Sequence, residues 1–162
     1  MENRFSKRMR VSDTLHADAI VTGKTWPAFE PVVRSLVELL VASASLPADL
    51  VDGAVAAICE RERVASTAMV DIGVSIPHSR LEGLGKLVSA LALAPEGVYG
   101  VEAGTPISVV FLVLSPPSLS GEHLNFLSTL SMLLHSAPFR RNLQEAQSPE
   151  DALRLIRTHE RR

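Results

Sequence analysis

The sequence predicts one α/β domain in which helices pack on a central β-sheet, and three observations support this class. The chain has 162 residues, enough for one domain with a sizeable core, and 46% of them are apolar. Apolar residues recur at helical spacing towards both ends of the chain, whereas the middle contains short apolar runs typical of strands. The sequence shows no internal repeat or interdomain linker, so a single layered domain is expected.

The N-terminal part is predicted to contain two amphipathic helices. Residues 1–10 are expected to form a flexible tail, and residues 11–21 a short helix or turn leading into an extended segment. Residues 30–44 and 46–63 both have apolar side chains at helical spacing and a proline near the start, where its missing N–H costs little. The positions predicted to face inwards are Val33, Leu36, Val37, Leu40, Leu50, Ala54, Val55 and Ile58.

The middle of the chain is predicted to supply the strands. Residues 74–76 and 86–94 are short strand candidates. Residues 106–115 are apolar without alternation, as expected of a strand covered on both faces.

Three helices are predicted after the last strand. The first covers residues 123–137, the second begins at the proline of residues 138–146, and the third covers residues 148–158, with Ser148 as its N-cap. Residues 158–162 are expected to form a C-terminal tail. In the first of these helices, helical spacing runs through Leu124, Leu127, Leu130 and Leu134.

Charge and composition exclude several classes of protein. The formal net charge of −2 argues against a nucleic-acid-binding protein that works through bulk positive charge. The longest apolar run is too short to cross a membrane, and no apolar segment follows the basic N-terminus, so a cytoplasmic protein without membrane insertion is expected. The single cysteine, Cys59, excludes an internal disulfide and is expected to be a buried thiol.

Two histidines are the candidates for chemistry. His78 follows Pro77 at the end of a strand candidate, and His123 stands at the start of a predicted helix. A neutral imidazole nitrogen can attack a phosphoryl group near pH 7, and a helix N-terminus with arginines such as Arg61 and Arg80 would offset the added charge. From spacing alone, however, such histidines are more often structural or surface groups. Alternatively, the two histidines could be two of the ligands of a metal ion, although no recognised ligand spacing accompanies them.

The segment RERVASTAMVDIGVSIPHSR resembles the active-site signature of the fructose–mannitol-type IIA domains of the phosphotransferase system (PTS), which include stand-alone nitrogen-regulatory proteins. The likeness extends from about Val11 to about Ile156, and the family's second histidine, in a His-Leu step that opens a helix, corresponds to His123 and Leu124. The residues that match the signature are Arg61, Glu62, Ser66, Thr67, Gly73, Ile76, Pro77 and His78.

This resemblance implies a single mixed β-sheet flanked by helices over residues 11–157, an α/β fold that some schemes class as α+β. It implies a phosphohistidine at His78, formed from the carrier HPr or its nitrogen-branch counterpart. His123 would orient the phosphoryl group without carrying it, Arg61 would supply positive charge, and no metal or cofactor is expected. Further support for the phosphoryl site is expected from Thr67, Ser79 and Arg80.

Partner proteins are expected to dock on a shallow apolar patch around His78, because two proteins must reach the phosphoryl group while water is excluded. Three functions remain open: a nitrogen-regulatory phosphoprotein, which we favour, a component that passes phosphate to the IIB component of a separate sugar permease, and a binding module that has lost transfer. Ile76 and Leu84 could instead belong to the core. The patch is predicted at Ile76, Pro77, Leu81 and Leu84.

Overall fold

The computed structural model describes residues 9–161, so most of the predicted N-terminal tail lies outside the described residues. In this part of the chain, a mixed six-stranded sheet is flanked by helices on both faces, which confirms the predicted fold class. The strands are β1 (Ile20–Thr22), β2 (Ala68–Met69), β3 (Val74–Ser75), β4 (His78–Arg80), β5 (Val88–Leu93) and β6 (Val109–Ser115). The helices are α1 (Phe29–Ala42), α2 (Val51–Val64), α3 (Ser120–Leu134), α4 (Ala137–Gln144) and α5 (Pro149–Glu160).

Strand β6 organises the sheet. It pairs antiparallel with β5 along one side, and on its other side it pairs in parallel with β3 and then with β4. The order is β1-β5-β6-β3-β2, with β4 continuing beyond β3 along β6. Pro77 separates the two short strands because it has no N–H to donate to a ladder. His78 is therefore the first residue of β4, aligned with Val113, and does not lie in a loop after a strand.

The two faces of the sheet carry separate apolar clusters. Helices α1 and α2 cover one face, and the predicted inward positions of α1 are completely buried there. Helices α3, α4 and α5 cover the other face together with the first turns of the described chain. All seven residues of β6 are buried, as predicted for a strand covered on both sides.

Three details of the predicted helices change. Helix α3 begins at Ser120, so His123 lies one turn inside it, and Leu124 is 61% exposed and does not face inwards. Leu50 is only partly buried and belongs to a 3₁₀ turn before α2. Helix α5 continues through Glu160 into the range expected to be a tail. The predicted Ser148 cap is confirmed, since its hydroxyl accepts the Asp151 N–H at 3.1 Å.

Candidate functional site

The fold brings the two candidate histidines together. His78 begins β4 and His123 lies in the N-terminal part of α3, and their ring centroids are 5.6 Å apart. They share a cleft of about 300 Å³ between the sheet edge, α2 and α3. The side chains that line this cleft are those of Arg61, His78, Ser79, Arg80, His123, Leu124 and Leu127.

Both ring nitrogens of His78 have partners, which fixes its tautomer. Nδ1 lies 2.8 Å from the carbonyl oxygen of Ile76, and a carbonyl can only accept, so Nδ1 carries the proton. Nε2 accepts a hydrogen bond from Arg61 Nε at 3.0 Å and therefore holds the lone pair. Burial lowers the pKa of His78 and the charge of Arg61 lowers it further, although the Ile76 carbonyl opposes both effects. His78 is accordingly a neutral imidazole at pH 7, and its lone pair is on Nε2.

His123 is more deeply enclosed. Its side chain is only 5% exposed, and its Nδ1 is hydrogen-bonded to the hydroxyl of Ser115 at the end of β6. Burial is the main reason why its pKa falls to about 4, and the nearby His78, Arg80 and Arg61 lower it further. A neutral His123 can donate one hydrogen bond into the cleft but contributes no positive charge.

Arg61 faces the cleft from the last turn of α2, and hydrogen bonds to the neighbouring Glu62 carboxylate hold this end of the helix in place. Glu62 accepts the Thr67 N–H at 2.8 Å, the Thr67 hydroxyl at 2.9 Å and the Ser66 hydroxyl at 3.0 Å. This carboxylate holds the chain in place as it leaves the helix. The Thr67 hydroxyl, expected to support a phosphoryl group, is thus engaged with Glu62 and does not line the cleft.

The residues predicted to form a docking patch are in the core. Ile76, Leu81 and Leu84 are 7–9% exposed, and Pro77 is buried as well. Leu81 and Leu84 belong to the apolar cluster on the α1/α2 face of the sheet, and Ile76 belongs to the cluster on the opposite face. The apolar residues that line the cleft are both on α3, where the exposed Leu124 is followed one turn later by the partly buried Leu127.

Two residues of the site were not singled out from the sequence. Ser115 is a polar residue that ends an apolar strand eight positions before His123, and this placement is the signal that could have found it. Glu62 lies in the matched signature without an assigned role. Among residues 9–161, no group of three or more His, Cys, Asp or Glu side chains could hold a metal ion. In the same range, no helix is long and apolar enough to cross a membrane.

The site defines a class of protein. A neutral imidazole with a fixed Nε2 lone pair, a second imidazole and two arginines form a small polar cleft suited to a nucleophilic histidine and an anionic group. The sequence match is consistent with that chemistry. Residues 13–159 match the family model described as "Phosphoenolpyruvate-dependent sugar phosphotransferase system, EIIA 2", and the chain belongs to this family.

Similar proteins include both sugar-transport and regulatory members. The chain is 34% identical over 100 residues to the fructose-specific EIIA component of Haloferax volcanii, which covers 61% of this chain. It is 30% identical over 97 residues to a nitrogen regulatory protein of Pseudomonas aeruginosa, which covers 59% of this chain. The matches span 64% and 62% of these relatives, slightly under two thirds of each.

Solved structures share the fold over nearly the whole chain. The nitrogen regulatory protein IIA-Ntr of Neisseria meningitidis superposes with a TM-score of 0.76 at 25% identity, covering 90% of this chain and 98% of that one. The mannitol IIA of Escherichia coli superposes with a TM-score of 0.71 at 22% identity, over 88% of this chain and 99% of that one. The latter likeness concerns the fold.

Proposed function

We propose that this protein is a phosphoryl carrier that accepts a phosphoryl group on Nε2 of His78. The observation that carries this proposal is the pair of bonds around the imidazole. The Ile76 carbonyl holds the Nδ1 proton, so that Nε2 carries the lone pair beside Arg61 and within reach of His123. An imidazole fixed in this way attacks without a tautomer change.

In the transfer step, a bond forms between His78 Nε2 and phosphorus while the bond from phosphorus to the donor's imidazole nitrogen breaks. The electron pair of the broken bond stays on the donor nitrogen, and the proton of His78 stays on Nδ1, which donates it in a hydrogen bond to the Ile76 carbonyl. The P–N bond formed is labile, so the same step can run onwards to an acceptor. No proton has to leave His78 during the reaction.

Arg61 must change partners for this step to proceed. In the resting protein, its Nε donates to the lone pair that attacks phosphorus. Its side chain is exposed at the end of α2 and can turn to the phosphoryl oxygens, which bring roughly two negative charges into the cleft. Arg80, the N–H of neutral His123 and the Ser79 hydroxyl also line the cleft and can bind these oxygens.

The phosphoryl donor is a phosphocarrier of the HPr type, and the protein works with it in the cytoplasm. We favour a regulatory role, in which the phosphorylation state of His78 decides which target the protein binds. The relatives named nitrogen regulatory proteins and the likeness to IIA-Ntr support this role. The 34% identity to a fructose-specific EIIA component favours a second candidate, transfer to the IIB component of a sugar permease.

The test is phosphorylation with purified components. The protein is incubated with phosphoenolpyruvate, enzyme I and an HPr-type carrier, and intact mass is measured before and after acid treatment. We expect one acid-labile phosphoryl group, absent from His78→Ala and retained in His135→Ala, which removes an exposed histidine from the end of α3. Full labelling of His78→Ala would refute the assignment.

The two roles are separated by the fate of the phosphoryl group. A regulator should keep it when mixed with a fructose-type or mannitol-type IIB domain, whereas a transport component should transfer it within seconds. Rapid transfer to IIB would contradict the regulatory role and leave the His78 assignment intact. A folded protein that is never labelled would instead indicate a binding module without transfer.

A further inference from the structure

We propose that Ser115 is a positioning residue, which holds His123 in the tautomer that directs an Nε2–H group towards the phosphoryl group on His78. The expected effect on phosphoryl transfer rests on the proposed function, whereas the tautomer of His123 rests on the structure alone. Ser115 Oγ is hydrogen-bonded to His123 Nδ1.

The position of Ser115 is fixed by the sheet. It is the last residue of β6, is completely buried, and its carbonyl accepts the Leu81 N–H at 2.8 Å. Side chains alternate along a strand, so Ser115 is on the same face as Val113, the face that α3 covers. His123 is on the buried side of α3. The contact between Ser115 and His123 thus joins two rigid elements.

Only one arrangement satisfies both groups. If the hydroxyl donates to Nδ1, its proton is used and the imidazole proton is on Nε2. If Nδ1 donates instead, the hydroxyl proton needs another acceptor, and no second partner of Ser115 Oγ is found among residues 9–161. A buried hydroxyl without an acceptor is costly because it has lost its hydrogen bonds to water. The contact therefore selects the Nε2–H tautomer.

The tautomer matters because His123 is neutral. With a pKa of about 4, its ring carries a single N–H at pH 7, so a proton on Nδ1 would leave a lone pair facing the phosphoryl oxygens. Lone pairs and phosphoryl oxygens repel each other. The hydroxyl of Ser115 thereby decides whether His123 donates to the phosphoryl group or opposes it.

The experiment compares Ser115→Ala with the matched control Ser89→Ala, which removes another completely buried hydroxyl, on β5, that is bonded to Thr14 and not to the site. Long-range ¹H–¹⁵N spectra of the unphosphorylated full chain, labelled in histidine, report the tautomer of His123. We expect Nε2–H in wild type and Ser89→Ala, and a mixture of tautomers in Ser115→Ala. Acceptance from the phosphorylated carrier should be roughly tenfold slower in Ser115→Ala only.

Wild-type His123 with its proton on Nδ1 would overturn the proposal without any variant. So would an unchanged tautomer in Ser115→Ala, or a changed tautomer with an unchanged rate. Failure of the proposed function gives a different result, because His78 would not be phosphorylated at all while the spectra could still show the Nε2–H tautomer.

Discussion

At the residue scale, the two histidines of the cleft are both uncharged near neutral pH, for partly different reasons. His78 is half-buried and lies against the guanidinium of Arg61, whereas His123 is nearly fully enclosed and bonded to Ser115. Burial is the largest cause of the lowered pKa in each case. In the proposed transfer, the positive charge that meets the phosphoryl group therefore comes from the arginines of the cleft, and neutral His78 is free to act as the nucleophile.

This arrangement predicts a defined pH dependence. In the proposed transfer, the neutral form of His78 attacks. Because its pKa is lowered from 6.5, the rate of phosphoryl acceptance should be constant above pH 6.5 and fall as pH drops through the lowered pKa. The folded state also takes up this proton at lower pH than the unfolded state. The stability linked to His78 is therefore complete above pH 6.5 and is lost as pH decreases.

Two arginines of α2 provide a test of this pKa shift and its control. Arg61→Gln removes a charge that lowers the pKa of His78, so the titration midpoint of His78, followed by NMR, should move upwards. Arg63→Gln removes an exposed arginine paired with Glu60 and should leave the midpoint unchanged. An identical midpoint in wild type and Arg61→Gln would contradict the assigned role of Arg61.

At the element scale, α3 supplies both a wall of the cleft and the exposed apolar surface beside it. Leu124 and Met132 are 61% and 67% exposed on this helix, but only Leu124 lines the cleft. The two positions are separated by about 12 Å along the helix. We expect a partner that delivers a phosphoryl group in the proposed transfer to approach over Leu124, which predicts a docking surface on α3 in place of the buried residues around Pro77.

Substitution on α3 tests this location. Leu124→Asp should weaken binding of the HPr-type carrier roughly tenfold, because a charge is placed in an apolar contact next to the site. Met132→Asp makes the same change at a similarly exposed position of the helix and should bind like wild type. Affinity can be measured by calorimetry, with circular dichroism as the check on folding. Equal losses in both variants, or none in either, would show that the surface lies elsewhere.

At the scale of the whole molecule, the last helix is tied to the first described turn. Both carboxylate oxygens of Glu160 are used, one by the N–H of buried Val11 and the other by the hydroxyl of Ser12, each at 2.6 Å. These bonds connect segments almost 150 positions apart in sequence. The end of α5 is consequently part of the folded structure.

Glu160→Ala should lower the free energy of unfolding by roughly 2 kcal/mol, since it leaves the Val11 N–H without its charged acceptor. Urea denaturation followed by circular dichroism measures this change. Glu82→Ala, in an exposed loop, is the matched control and should have little effect. If both variants unfold at the same urea concentration as wild type, residues from 158 onwards do behave as the tail expected from the sequence.

The features that depend on local sequence patterns could be predicted from the sequence alone. The inward stripe of α1, the doubly covered β6 and the Ser148 cap depend on local spacing and local hydrogen bonds, and each is found where it was expected. The family resemblance identified His78 and His123 as a pair, because the residues around them are distinctive in type and order. The structure brings these two rings together with Arg61.

The tertiary structure decided which side chains are exposed and which groups they contact. Leucines lie on more than one side of α3, so periodicity alone could not tell that His123 faces inwards and Leu124 outwards. Ile76 and Leu84 are buried in the apolar clusters on opposite faces of the sheet, among residues distant from them in sequence. The bonds of Glu62 to Thr67 and of Ser115 to His123 depend on side-chain positions that only the packed fold defines. The sequence determined which chemical groups are available, and the packing determined which of their atoms are exposed and which are bonded to other groups.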